Sequence, residues 1–185
     1  MRVLVIGASG RTGQLVVNEV LERGHSVRAL VRKPESLQAR TNLLVVKGTP
    51  EAKEDVRKAI LSLFNDIPQA VSVTLNAPRE TDSPFSKPIV GPRFMADIMT
   101  NIKAAMESSN IKRIVLMHSN MAYQFKDHGF VDREVRDSGL DWVLVRPAML
   151  TDRAAQPIKV SGTRFLVDAA VTKEWVHRTP VISNQ

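Results

Sequence analysis

Residues 3–17 read VLVIGASGRTGQLVV. A run of four aliphatic residues is followed by three glycines spaced three apart, Gly7, Gly10 and Gly13, and then by a second apolar run. A continuous aliphatic run, here RVLVI at 2–6, is the pattern of a strand buried on both faces. The second run places Leu15, Val16, Glu19, Val20 and Arg23 at helical spacing and predicts a helix over 12–24, with Gly24 as its C-terminal stop. Strand, glycine turn and helix in this order make a cradle for a pyrophosphate. The first glycine forms the turn, the second lets backbone approach the phosphates, and the third lets the helix pack on the strand. The helix N-terminus adds unpaired N–H groups and partial positive charge. The spacing is G-x-x-G-x-x-G, looser than G-x-G-x-x-G, and a glycine-rich turn without a ligand is the competing reading.

Outward from this stretch, short apolar runs alternate with helical patterns. Strands are expected at 26–31 (SVRALV), 42–47 (NLLVVK), 70–76 (AVSVTLN), 112–117 (KRIVLM) and 142–146 (WVLVR), with a short extra one at 179–183 (TPVIS). Helices are expected at about 51–64, 92–109, 127–138 and 162–172. Alternation of this kind predicts an α/β fold: a Rossmann-type, doubly wound parallel sheet of order 3-2-1-4-5-6. The long irregular stretch is 77–92, APRETDSPFSKPIVGP, which follows the fourth strand on the ligand-binding edge. Loops of that length are usually functional or disordered, and a functional role is the one read here.

The totals narrow the class. A chain of 185 residues with 43% hydrophobic and 24% charged residues suits one globular domain, read as a single unit over 1–185. It has no cysteine, so disulfides and cysteine-ligated metals are excluded, which fits a reducing compartment. No apolar run approaches the ~20 residues that span a membrane. The N-terminus reads as a strand rather than a signal peptide, so the expected location is cytoplasmic. The excess of 26 Lys+Arg over 19 Asp+Glu gives +7, which suits either nucleic acid or an anionic small ligand. The cations are scattered, only 5% of residues are aromatic, and no basic–aromatic interleaving appears, so nucleic acid is not the expected partner. The expected partner is a small-molecule substrate, with a homodimer left open.

The end of the second strand distinguishes the nicotinamide cofactors. A site for NAD places a carboxylate there to hold the ribose 2′-hydroxyl. Here the sequence is LVRKP, with Arg32 and Lys33 and no acid before Glu35. An arginine fork matches a 2′-phosphate in geometry and charge, and Arg11 in the glycine loop can reach the same region, so the expected cofactor is NADP(H).

The stretches GASGRTGQLVV, ALVRKPESL, DSPFSKP…PRFMAD, DREVRDSGLDWVLVRPAML and WVHRTPVIS resemble the NmrA-like, atypical short-chain dehydrogenase/reductase group. The likeness is greatest to its small single-domain members, of the fungal NAD(P)-binding and biliverdin reductase B/flavin reductase types. The resemblance implies an NADP-binding domain with a small substrate-side region, here 77–92, 118–130 and 148–162. It places the family's glycine-loop contacts on Gly7, Ser9, Gly10, Arg11, Thr12 and Gly13, and its 2′-phosphate arginine on Arg32. The residue after the third strand, often an aspartate near the adenine, is Thr49. The resemblance places backbone around Leu75, Asn76 and Ala77 along the cofactor. The resemblance also implies reduction of a small carbonyl compound, aromatic or quinone-like.

The chain departs from that pattern in two places. Short-chain dehydrogenases use Tyr-x-x-x-Lys, in which the lysine lowers the phenol pKa. Here Tyr123 is followed four residues later by Asp127, with Lys126 one place early. After the fifth strand, IVLMHSNMAYQFKDH passes to the next helix in about nine residues, shorter than the family's serine-bearing loop. The remaining proton-transfer candidates beyond the strand ends are His118, Ser119, Tyr123 and His128. Three have a plainer role: His128 a surface residue, Tyr123 a ring packed over the loop, Ser119 a turn residue; His118 is the leading candidate. Asp127 reads as a helix N-cap as readily as an acid. A metal site from His118 and His128 lacks suitably spaced carboxylates and is not expected. Three functions stay open: NADPH-dependent reductase, a non-redox isomerase or dehydratase on the same fold, and an NADP(H)-sensing regulator without turnover.

Overall fold

A computed structural model describes residues 1–61, 66–81, 86–117, 125–147 and 161–182, with backbone alone at 125–128, 147 and 161. In chain order the elements are β1 (Arg2–Ile6), α1 (Arg11–Glu22), β2 (Ser26–Val31), β3 (Leu43–Lys47), α2 (Lys53–Leu61), β4 (Ala70–Val73), α3 (Phe94–Ser108), β5 (Arg113–Met117), α4 (Phe125–Arg136), β6 (Asp141–Pro147), α5 (Ser161–Val171) and β7 (Val181–Ile182). Among the described residues the strands form one seven-stranded sheet of order β3-β2-β1-β4-β5-β6-β7. Every pairing is parallel, from Val27↔Leu43 on one side to Pro147↔Ile182 on the other. This is the expected Rossmann-type sheet, and the short extra strand is β7.

The sheet divides the interior into two apolar layers. Leu4 and Ile6 of β1, with Val71, Ile114 and Leu144 from its neighbours, pack under α2, α3 and α4. Val3 and Val5, with Val115 and Val143, pack under α1 and α5. The period-2 alternation of a strand therefore buries every residue of the VLVI run, each with no solvent exposure. Each such side chain contributes about 1.5–3 kcal/mol relative to exposure.

The helix ends follow local chemistry. Gly24 adopts φ +73°, and the N–H groups of Gly24 and His25 close on Leu21 and Val20 carbonyls, a Schellman stop for α1. Asn110, at φ +55°, ends α3 in the same way, with Asn110 and Ile111 closing on Glu107 and Met106. Two buried strand arginines serve other helix ends. Arg28 of β2 donates to the carbonyls of Ala59 (3.0 Å) and Ile60 (2.7 Å) at the end of α2, and to Asp66 (2.9 Å). Arg113 of β5 reaches the Ala169 carbonyl near the end of α5 at 3.4 Å. Both place positive charge against the negative pole of a helix.

Two expectations need correction. The fourth strand ends at Val73, not at residue 76: Thr74 N–H still reaches the Ile6 carbonyl at 2.9 Å, but β1 stops there and Gly7 turns away with φ +91°, so later residues have no β1 partner. The stretch 77–92 is not irregular throughout. Arg79 and Pro88 form an antiparallel bridge, with Glu80 N–H on the Lys87 carbonyl (3.2 Å) and Ile89 N–H on the Pro78 carbonyl (3.0 Å). Its described arms are therefore a small hairpin. Among the described residues no helix is long and apolar enough to cross a membrane, and no cluster of His, Cys, Asp or Glu could hold a metal ion.

Candidate functional site

The site is built where β1 meets α1. Gly7 takes φ +91°, and a Cβ there would lie 3.0 Å from the Thr74 carbonyl and from Thr74 Oγ1. The Thr74 hydroxyl, just beyond β4, sits 3.3 Å from the carbonyl oxygens of both Ile6 and Gly7. Gly13 lies in the first turn of α1, where an added Cβ would be 2.0 Å from the Gly7 carbonyl oxygen. No side chain fits between them, so α1 begins directly on the turn. Gly10 differs. Its φ is −74°, and an added Cβ would meet protein only at 3.4 Å. The fold leaves room there, and that is where a phosphate would approach backbone.

Gly10 is also the N-cap of α1 and supplies no capping side chain, and the first turn carries no acid. Gly10 donates to the Gly7 carbonyl at 3.1 Å, and Gln14 N–H takes the Gly10 carbonyl at 2.9 Å. Among the described residues nothing accepts from the N–H groups of Arg11, Thr12 and Gly13. Three donors at the positive end of a twelve-residue helix thus face the carboxyl edge of the sheet. Ser9 and Arg11 are exposed, Thr12 is half-buried, and the Ser9 carbonyl is held by Gln14 Nε2 at 3.1 Å.

The neighbouring strand ends sit alongside. Ile6 is in register with Leu30, and Val31 with Lys47. Arg32 and Lys33 are exposed just past β2, and the 3-10 turn Pro34–Ser36 that follows is tied by Ser36 Oγ to the Lys33 carbonyl (2.6 Å). Neither cation meets a carboxylate among the described residues. After β3, Gly48 N–H returns to the Val31 carbonyl at 2.9 Å. The polar atoms of Thr49 serve the turn itself: its N–H donates to Asp55 Oδ2 (3.0 Å) and its hydroxyl to Glu51 (3.2 Å). Asn101 of α3 pins the same turn through the Pro50 and Glu51 carbonyls at 3.2 and 2.9 Å. Past β4, Leu75 and Ala77 pack against the core while Asn76 is exposed.

The structure therefore gathers Gly7, Ser9, Gly10, Arg11, Thr12, Gly13, Arg32, Thr49, Leu75, Asn76 and Ala77 along one edge, at the carboxyl ends of β1 to β4. His118, Ser119 and Tyr123 lie outside the described residues. His128 and Asp127 fall on α4, which begins at Phe125, and only their backbone is described. Thr74, Asp55 and Asn101 escaped the sequence reading. Thr74 carries a faint signal, a hydroxyl directly after an apolar strand; the other two act on backbone atoms that no motif marks.

A glycine turn, an uncapped helix N-terminus and flanking cations at the carboxyl edge of a parallel sheet define a dinucleotide-binding α/β protein. The chain belongs to the NAD(P)H-binding family, whose model matches residues 7–179. It is 29% identical over 154 residues to (4-alkanoyl-5-oxo-2,5-dihydrofuran-3-yl)methyl phosphate reductase of Streptomyces griseus, covering 78% of this chain and 46% of that one. To dihydroflavonol 4-reductase of Hordeum vulgare it is 30% identical over 122 residues, 63% of this chain and 34% of that one. The chain thus spans less than half the length of these curated relatives. Among solved structures, a Rossmann-fold NAD(P)-binding family protein from Shigella flexneri superposes with a TM-score of 0.74 at 18% identity, covering 100% of this chain and 93% of that one. A putative NAD-dependent epimerase/dehydratase from Bacillus halodurans gives 0.73 at 17%, covering 100% and 94%. At these identities the likeness is one of fold.

Proposed function

We propose that the protein is an NADPH-dependent reductase of a small carbonyl compound, aromatic or quinone-like, acting in the cytoplasm. The observation that carries the cofactor choice is the cation pair at the end of β2. Arg32 and Lys33 stand exposed and without a carboxylate partner among the described residues, with Arg11 at the start of α1 nearby and no carboxylate where a ribose 2′-hydroxyl would need one. The residues fit the group. Three free N–H donors and the open side of Gly10 suit a diphosphate, and the arginines suit a 2′-phosphate. When bound, NADPH supplies hydride; the chain's own residues bind it, orient it and place the carbonyl substrate beyond the strand ends. His118, Ser119, Tyr123 and His128 are the proposed groups for polarising or protonating the substrate oxygen. The substrate class rests on the resemblance to NmrA-like, atypical short-chain dehydrogenases and on the reductases among the relatives.

The test is titration of the purified protein with NADPH and with NADH, followed by nicotinamide fluorescence and calorimetry. Binding of NADPH about tenfold or more tighter than NADH, lost in Arg32→Glu, supports the reading. Equal affinities in the parent protein overturn the cofactor assignment. A second reading, an NADP(H)-sensing regulator without turnover, is favoured by the missing Tyr-x-x-x-Lys pair, since Asp127 stands four residues after Tyr123. Absence of NADPH oxidation across a panel of quinones and aromatic aldehydes, with binding intact, would select it.

A further inference from the structure

At the opposite edge of the sheet, a concavity of about 500 Å³ opens between the amino ends of β4, β5 and β6 and the carboxyl ends of α3 and α5. That volume lies within the ~300–1,000 Å³ range of small-molecule sites. Its wall contains Arg113, which is only 7% exposed. The guanidinium has no carboxylate within hydrogen-bonding distance: Asp141 is 4.0 Å away, and the Ala169 carbonyl stands at 3.4 Å. Burial accordingly pushes Arg113 below its ordinary value, with Asp141 only partly opposing the shift. Beside it, the Ser109 hydroxyl is buried and has no hydrogen-bond partner. Arg113 keeps its helix-end carbonyl but has no carboxylate closer than 4.0 Å, and a buried cation short of counter-charge favours an anion beside it.

The rest of the lining sets the ligand's chemistry. Lys112 and Lys173 are exposed at the rim, so three side-chain cations, with the Met1 ammonium nearby, face the single acid Asp141. The helix ends here would by themselves repel an anion. The last carbonyls of α3, however, are taken by Asn110 and Ile111 N–H groups, and Arg113 offsets the end of α5. Next to the charged side, Ile67 and Val171 are each 41% exposed and give an apolar surface. We infer that this concavity is a second binding site, distinct from the dinucleotide edge, for a small organic carboxylate with a compact apolar body. The carboxylate would lie between Arg113 and the two lysines, and the apolar body against Ile67 and Val171.

The experiment needs no nicotinamide cofactor, so its failure and a failure of the reductase reading are separable. Backbone amide shifts of the full chain are followed during titration with benzoate, benzyl alcohol and inorganic phosphate. Benzoate is expected to shift Ser109 through Arg113 saturably in the millimolar range, with benzyl alcohol and phosphate clearly weaker. Lys112→Glu combined with Lys173→Glu, both at exposed positions, should weaken benzoate about tenfold. Arg113→Met should do the same, and the lysine pair decides the matter if that variant folds poorly. No saturable shift, or benzoate binding unchanged in the lysine variant, overturns the site. Phosphate binding as tightly as benzoate overturns the assigned ligand class, leaving simple anion attraction.

Discussion

The carbonyl oxygen of Gly7 occupies the space where a side chain on Gly13 would begin, 2.0 Å from the position of its Cβ. At Gly10, three residues earlier, the corresponding distance is 3.4 Å and φ is an ordinary −74°. Two glycines of one motif therefore differ: the fold demands Gly13 but not Gly10, which on the proposed function is left to the cofactor. Gly13→Ala should destabilise the protein by about 3 kcal/mol, because backbone must move to admit the methyl. Gly10→Ala should cost no more than about 1 kcal/mol, the preference of an N-cap for glycine over alanine, yet weaken NADPH about tenfold. Denaturant unfolding and cofactor titration of the two variants check this; equal loss of stability in both would refute it.

Arg28 holds three carbonyls from the centre of a buried strand. Replacing it by methionine fills the space but leaves those acceptors without their donors. Arg28→Met should cost about 3 kcal/mol, measured by urea unfolding. Arg28→Lys should recover only part of this, since a single ammonium cannot span acceptors set for a fork.

Ser72 on β4 is fully buried, and its hydroxyl has no hydrogen-bond partner. Removing an unsatisfied group carries little penalty, so Ser72→Ala should be neutral or stabilising by up to about 1 kcal/mol. A clear loss of stability in the same unfolding assay would mean that the hydroxyl has a partner after all.

His25 is held below its ordinary pKa of 6.5, first by burial and then by the nearby Met1 ammonium and Arg23. The unfolded chain takes up this proton at higher pH than the folded one. Stability should therefore fall as pH drops through 6.5, and the loss should stop once the folded imidazole also titrates. Thermal midpoints between about pH 7.5 and about pH 5.5 should fall more in the parent than in His25→Gln. Parallel curves would assign the pH dependence to other groups.

Much of this architecture is legible in the sequence because parallel strands announce themselves. Apolar runs such as VLVI and WVLV mark buried strands, and the six placed in order from the sequence stand in that order, with the short extra strand added at the β6 edge. The overshoot of the fourth strand has a local cause: TLN is as strand-like as AVSV, and the turn at Gly7 takes away its β1 partner. Arg28 looks like an interruption of SVRALV, because its acceptors come from Ala59 and Ile60, some thirty positions along. The glycine triplet marks the cradle but not the division of labour within it, which depends on where the Gly7 carbonyl points. The hairpin at Arg79 and Pro88 rests on backbone bonds, to which a proline-rich stretch gives no clue.

Because every strand runs the same way, each helix linking one strand to the next must run back against them. The positive poles collect at the carboxyl edge with the free donors of α1, and the negative poles collect at the other edge, where Arg28 and Arg113 meet two of them. The molecule is thus polarised along the strand direction. A dinucleotide's phosphates set at the carboxyl edge would meet these positive poles at close range, where their charge is felt.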